Sequence, residues 1–233
     1  MAIIVRIDVD RAYGKSSLLK QFCSRIASDY YFPRIQSFGY LEDLAVILNI
    51  LETHNARAYV FFRQCTLPSK NIQKRLQQNG HIAGLHLENS RSFQTFSAEL
   101  NSLKAYLGQD VISFSKHGSG VFTYGRYHYA PYEPEKYVDW GQRSDMRVFM
   151  GNGEDPTQND YMEAGLHVYP SAYWLEPHWR NTTRYNFAWL AEECQNRDVV
   201  LLLHADNVTA DPKIMVEFRE ILENLPTTVV QGD

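Results

Sequence analysis

The chain has 233 residues, enough for one large domain or at most two small ones. It is 44% hydrophobic and 21% charged, ordinary globular usage, and its formal net charge of −4 supplies no basic footprint for nucleic acid. No apolar run approaches the ~20 residues of a membrane span, so neither a nucleic-acid binder nor a spanning protein is expected.

The elements alternate along the chain. "AIIVRID" reads as a strand, "SSLLKQFCSRIASDY" as a helix, and "LEDLAVILNILETHN" as a second helix that feeds the strand "ARAYVFF". The helix "NIQKRLQQNG" stops at Gly80, a suitable C-terminal glycine, before the strand-like "HIAGLHLE". "SAELNSLKAYLG" predicts a helix, "VISF" a strand, "PEKYVDWGQRSD" a helix, and "RVFM" and "GLHVYP" two strands. "RYNFAWLAEECQNR" predicts a helix and "VVLLLHAD" a buried strand. Asp211 and Pro212 then occupy N-cap and first-turn positions of "DPKIMVEFREILENL", and "TTVV" closes the series as a strand.

Such alternation implies parallel βαβ units in one α/β domain, residues 1–233. Seven or eight units favour a closed or nearly closed barrel over a doubly wound open sheet. In either architecture, active groups gather where strands end. "MAIIVRID" meets charge too early for a secretory signal, and Cys23, Cys65 and Cys194 are few and scattered. Both features predict a cytoplasmic protein with reduced thiols.

Four strand ends carry chemistry. Asp8 and Asp10 alternate at the end of the first strand and therefore face the same side. Two such carboxylates repel each other unless a cation or a proton intervenes. A structural role fits them equally, with Asp10 capping the next helix and Asp8 pairing with a buried arginine. The "GKS" at Gly14–Ser16 follows directly, but a phosphate-binding loop requires a further glycine where Val9 stands, and the two aspartates would repel the phosphates. A metal therefore suits this strand end better than a nucleotide. His86 and Glu88 alternate on "HIAGLHLE" and suit Zn²⁺ or a similar divalent ion, whereas His81 at the opposite end reads as structural. His204 ends the buried run "VVLLL", poised for proton transfer, with Asp206 two positions on. Lys116 and His117 follow "VISF" in "FSKHGSG", where a cation could hold a carboxylate or a substrate oxygen.

The order of these stretches resembles that of the polysaccharide deacetylases of the NodB-homology type. "RIDVD" is similar to the family's paired-aspartate motif, "ARAYVFF" to its second strand, "GHIAGLH" to its metal-histidine motif, "SKHGSG" to its arginine-and-glycine motif and "LLLH" to its final one. The resemblance implies a distorted (β/α) barrel of seven or eight units that removes acetyl groups from N-acetylated sugars with a bound divalent ion, most readily zinc. It implies Asp10 and His86 as metal ligands, with Glu88, His117 or His178 completing the set, because the family's second metal histidine falls at Ser90. It further implies Asp8 as the base, His204 as the general acid oriented by Asp206 or a neighbour, and Lys116 steadying Asp8. Finer similarity points to the WbmS-like branch linked to O-antigen and surface-polysaccharide synthesis. A deformylase acting on a lipid-linked or nucleotide sugar, and a sugar-binding relative without turnover, are the alternatives. The aromatic stretches "YGRYHYAPYEPEKYVDW" and "YPSAYWLEPHW" either flank a glycan cleft or pack over the barrel.

Overall fold

The computed structural model of the chain describes residues 1–10, 18–19, 22–23, 26, 40–118, 120, 122–180 and 184–229. Most of the helix expected from "SSLLKQFCSRIASDY", and all of "GKS", lies outside the described residues; Leu18, Leu19, Phe22, Cys23 and Ile26 are helical. The strands are β1 (Ile3–Val9), β2 (Ala58–Phe62), β3 (Ile82–Leu87), β4 (Ser113–Lys116), β5 (Val148–Gly153), β6 (Tyr161–Glu163), β7 (Leu166–Ser171), β8 (Tyr173–Trp174) and β9 (Val199–His204). The helices are α1 (Tyr40–Thr53), α2 (Lys70–Gln78), α3 (Phe93–Leu107), α4 (Pro134–Arg143), α5 (Phe187–Asn196), α6 (Ala205–Ala210) and α7 (Pro212–Asn224).

The strands form one sheet in the order β6-β7-β5-β4-β3-β2-β1-β9-β8, parallel throughout except for the β6–β7 pair. The sheet is curled, and a single side chain proves it. Arg6 on β1 donates from Nη1 to the carbonyls of Met150 (3.1 Å) and Gly151 (2.7 Å) on β5. Those strands stand four places apart, ~19 Å in a flat sheet, beyond the reach of any side chain. The architecture is thus a distorted (β/α) barrel as expected, left open because β6 and β8 are edges.

Alternation sorts the side chains into two cores. Ile3, Val5, Ile7 and Val9 face outward with Val60 and Phe62, packing under helical residues such as Leu44, Leu48, Leu100 and Phe218. Ile4, Tyr59, Phe61, Val148, Met150, Val200 and Leu202 face inward and fill the lower barrel. Gly84 makes that interior possible, since a Cβ there would meet the Phe61 ring at 2.4 Å.

Helix ends follow the local chemistry. Ser69 and Ser92 cap α2 and α3, Gly80 and Gly108 leave them at φ +69°, and Asp211 accepts from Lys213 N–H at 3.0 Å ahead of Pro212. The structure departs from the local reading in five places. β4 begins two residues later than "VISF", because pairing with β3 and β5 sets its register. "TTVV" contributes only the bridge Ile3↔Thr227 within the described residues. The β6–β7 hairpin, turning through Ala164 and Gly165 at positive φ, left no alternating pattern because β6 is three residues long and its apolar Tyr161 and Met162 are exposed. The two-residue β8 is too short to mark a period, and β9 stops at His204, where α6 begins.

Candidate metal centre

The upper interior of the barrel is polar. Continuing the inward alternation, β1 supplies Arg6, Asp8 and Asp10, the end of β2 supplies Arg63, β3 supplies His86 and Glu88, β4 supplies Ser115 and His117, and β9 supplies His204. All are buried except His204, which is intermediate.

Three of these side chains converge. One ligand atom each from Asp10, His86 and His117 lies within 4.8 Å of the other two. His117 Nδ1 is 3.2 Å from Asp10 Oδ1 and 3.2 Å from His86 Nε2, and His86 Nε2 is 3.7 Å from the same aspartate oxygen. His86 Nδ1 meets Ser115 Oγ at 2.7 Å, a contact that lets Nδ1 carry the proton and turns the Nε2 lone pair toward the centre. Burial pushes His86 down to about 3 and His117 well below the usual imidazole range, so both rings are neutral donors.

Around this cluster stand fixed charges. Both oxygens of Asp8 accept from Arg6, at 3.0 Å from Nε and 2.7 Å from Nη2. Arg6 also binds Asn152 Oδ1 at 2.8 Å, which employs all five of its donors. Arg63 lies 3.5 Å from Asp10 Oδ1 and pairs with Glu88. His204 Nε2 is 3.7 Å from Asp10 Oδ2, and its Nδ1 is 2.9 Å from Glu176 Oε1, which also accepts the His204 backbone N–H. Burial opposes the charge on His204, but Glu176, aided by Asp10 and Asp8, outweighs it and raises the imidazolium to about 10. The same pairing holds Glu176 below the usual carboxylate range despite the upward pull of burial.

Several expected partnerships take a different form. Lys116 alternates onto the other face of β4 and does not reach Asp8; it donates to the His117 carbonyl and lies 3.3 Å from His128 Nε2. Burial lowers its ammonium to about 7 against the attraction of Glu88 and Glu99. Arg6 takes the place assigned to Lys116, and Asp8 pairs with a buried arginine as the structural alternative required. Glu88 is outside the three-residue cluster and pairs with Arg63, whereas His117 is within it. His178 is exposed on the 3₁₀ turn Pro177–Trp179. Asp206 sits on α6, and Glu176 rather than Asp206 orients His204. His81 is structural as expected, its Nδ1 accepting the Ala58 N–H at 3.1 Å.

Sequence reasoning missed Arg6, Arg63 and Glu176. The first two carried a readable signal, since each is a charged residue at an inward position of an otherwise apolar strand run. Glu176 lies in an aperiodic aromatic stretch and carried none. Of the aromatic loops, Tyr137 packs in the outer core and Trp174 in the inner one, 5.9 Å from the His204 ring, while Tyr124 sits 5.5 Å from the His117 ring.

A divalent ion fits this donor set. Two neutral imidazoles and a carboxylate are a three-ligand set of the kind that leaves zinc an open position. The formal charges agree, because Asp8, Asp10, Glu88 and Glu176 exceed Arg6, Arg63 and the paired His204 by one negative charge.

No protein-family model matches the chain, and a search of curated proteins finds no match. Solved structures do match. A candidate polysaccharide deacetylase from Mycobacterium smegmatis superposes with a TM-score of 0.53 at 13% identity, over 100% of this chain and 94% of that one. The catalytic domain of a peptidoglycan N-acetylglucosamine deacetylase from Eubacterium rectale gives 0.47 at 13% identity, over 99% and 93%. A Streptococcus mutans CE4 esterase gives 0.46 at 15% identity, over 95% and 80%. The first of these matches shows the fold, the barrel of the Mycobacterium smegmatis protein.

Proposed function

We propose that the chain, as one domain over residues 1–233, is a metal-dependent hydrolase removing an N-acetyl or similar acyl group from an amino sugar. The convergence of Asp10, His86 and His117 beside the Glu176-paired His204 carries this reading. A divalent ion held there, zinc by the nature of the donors, supplies Lewis acidity, polarising an acyl carbonyl and lowering the pKa of water from ~15.7 toward ~7. Asp8, fixed by Arg6 and 3.6 Å from His86 Nε2, is positioned to accept the proton of an attacking water. His204, kept protonated by Glu176, presents Nε2 to the same space and donates to the departing amine. Tyr124, half-buried beside the His117 ring, offers a ring face for a sugar. The finer assignment we propose is the WbmS-like branch, acting in the cytoplasm on an intermediate of surface-polysaccharide (O-antigen) synthesis. The "RIDVD", "GHIAGLH" and "LLLH" motifs support the deacetylase reading as a whole. Sugar binding without turnover is the second reading, favoured by the Arg63 guanidinium lying against Asp10.

Metal analysis of purified protein, followed by amine release from N-acetylated and N-formylated amino sugars, tests the assignment. One divalent ion per chain together with amine release is the expected result. Absence of both leaves the binding protein.

A further inference from the structure

One guanidinium joins two buried carboxylates at the wall of the metal centre. Arg63 is fully buried; its Nη1 is 3.5 Å from Asp10 Oδ1, and its Nη2 pairs with Glu88 Oε1. The Asp10 oxygen is the one that His117 Nδ1 and His86 Nε2 also face. Glu88 shares the inward face of β3 with His86, two residues away, and is itself fully buried. Its other oxygen, Oε2, has no hydrogen-bond partner among the described residues, although a buried carboxylate oxygen left so is costly. The centre thus has an acidic side chain of the right chemistry beside it, restrained by one ion pair.

We propose that Arg63 holds Glu88 out of the metal's ligand set, fixing the protein donors at Asp10, His86 and His117 and so preserving an open position. This rests on the hydrolase reading of the same centre. The chemistry behind it is general: zinc sites with four protein ligands are closed and structural, whereas catalytic sites keep three and leave a place for water or substrate. With Arg63 removed, two effects draw metal in. A positive charge beside Asp10 disappears, and Glu88 is released to coordinate. Glu88→Asp separates them, because it keeps the charge and withdraws the carboxylate by one methylene.

Zinc affinity is measured by competition with a chromophoric chelator on the full chain, as wild type, Arg63→Met, Arg63→Met/Glu88→Asp and Glu88→Asp, with thermal midpoints taken with and without zinc. Arg63→Met should bind zinc about tenfold or more tightly than wild type, the scale on which outer partners tune metal sites. Arg63→Met/Glu88→Asp should lose most of that gain, keeping only the part that comes from removing the Arg63 charge, and Glu88→Asp alone should stay within about threefold of wild type. Weaker binding by Arg63→Met, or a gain that survives Glu88→Asp undiminished, overturns the proposal. If Arg63→Met does not fold, Glu88→Asp decides, since a tenfold loss there would make Glu88 a resident ligand. Zinc bound by Arg63→Met but not by wild type would support the restraint and sink the hydrolase reading. Zinc bound by no variant would sink both.

Discussion

The lower and upper halves of the barrel interior are built from the same strands and the same alternation, yet they solve burial in opposite ways. Below, Ile4, Tyr59, Phe61, Val148, Met150, Val200 and Leu202 interlock with no charge among them. Above, the next inward positions are Asp8, Asp10, Arg63, His86, Glu88 and His117, each enclosed almost as completely. Arg6 marks the boundary, its guanidinium 5.7 Å from the Phe61 ring and its donors on Asp8 and the β5 carbonyls. Apolar layers stabilise by area and packing, so a change there costs stability alone. Polar layers survive only through specific partners, so a change there alters chemistry first.

Substitutions in each half sharpen the contrast. The largest effect is expected from His86→Ala, which removes a donor and should abolish stoichiometric zinc binding while the fold persists; retention of one zinc per chain by metal analysis would refute the assignment of His86. Phe61→Ala, one layer down, should cost about 3–5 kcal/mol of stability in urea titration and leave zinc affinity intact. A comparable loss of metal affinity would erase the distinction between the halves. Ser115→Ala removes the partner of His86 Nδ1 and should weaken zinc binding about 10–100-fold, with little change in melting temperature.

The smallest effect concerns pH at the far end of the barrel. Burial lowers His81 to about 4, against Glu52's opposing pull. The unfolded chain takes up this proton near pH 6.5 and the folded chain only near 4, so His81's share of stability is intact above 6.5 and lost as pH falls from 6.5 toward 4. That share should be about 1–2 kcal/mol, and His81→Gln should flatten the acid limb of stability against pH. Identical limbs in the two proteins would show that His81 is not the titrating group.

The order of most strands and helices, the Gly80 stop after α2, the Asp211 cap of α7, and the positions of Asp8, Asp10, His86, His117 and His204 at strand ends were legible in the chain. Each depends on local rules, the two-residue alternation of strands and the short-range chemistry of helix ends. Register and partnership were not legible. Lys116 and His117 are consecutive at the end of one strand and cannot share a face, and pairing with β3, Ser115 opposite His86 and Lys116 opposite Leu87, turned His117 inward and Lys116 away from Asp8. The choice of His117 over Glu88, of Arg6 over Lys116 and of Glu176 over Asp206 was made between elements far apart in sequence. Only the curl of the sheet brings β1 within reach of β5, and only that closure decides which buried charge meets which.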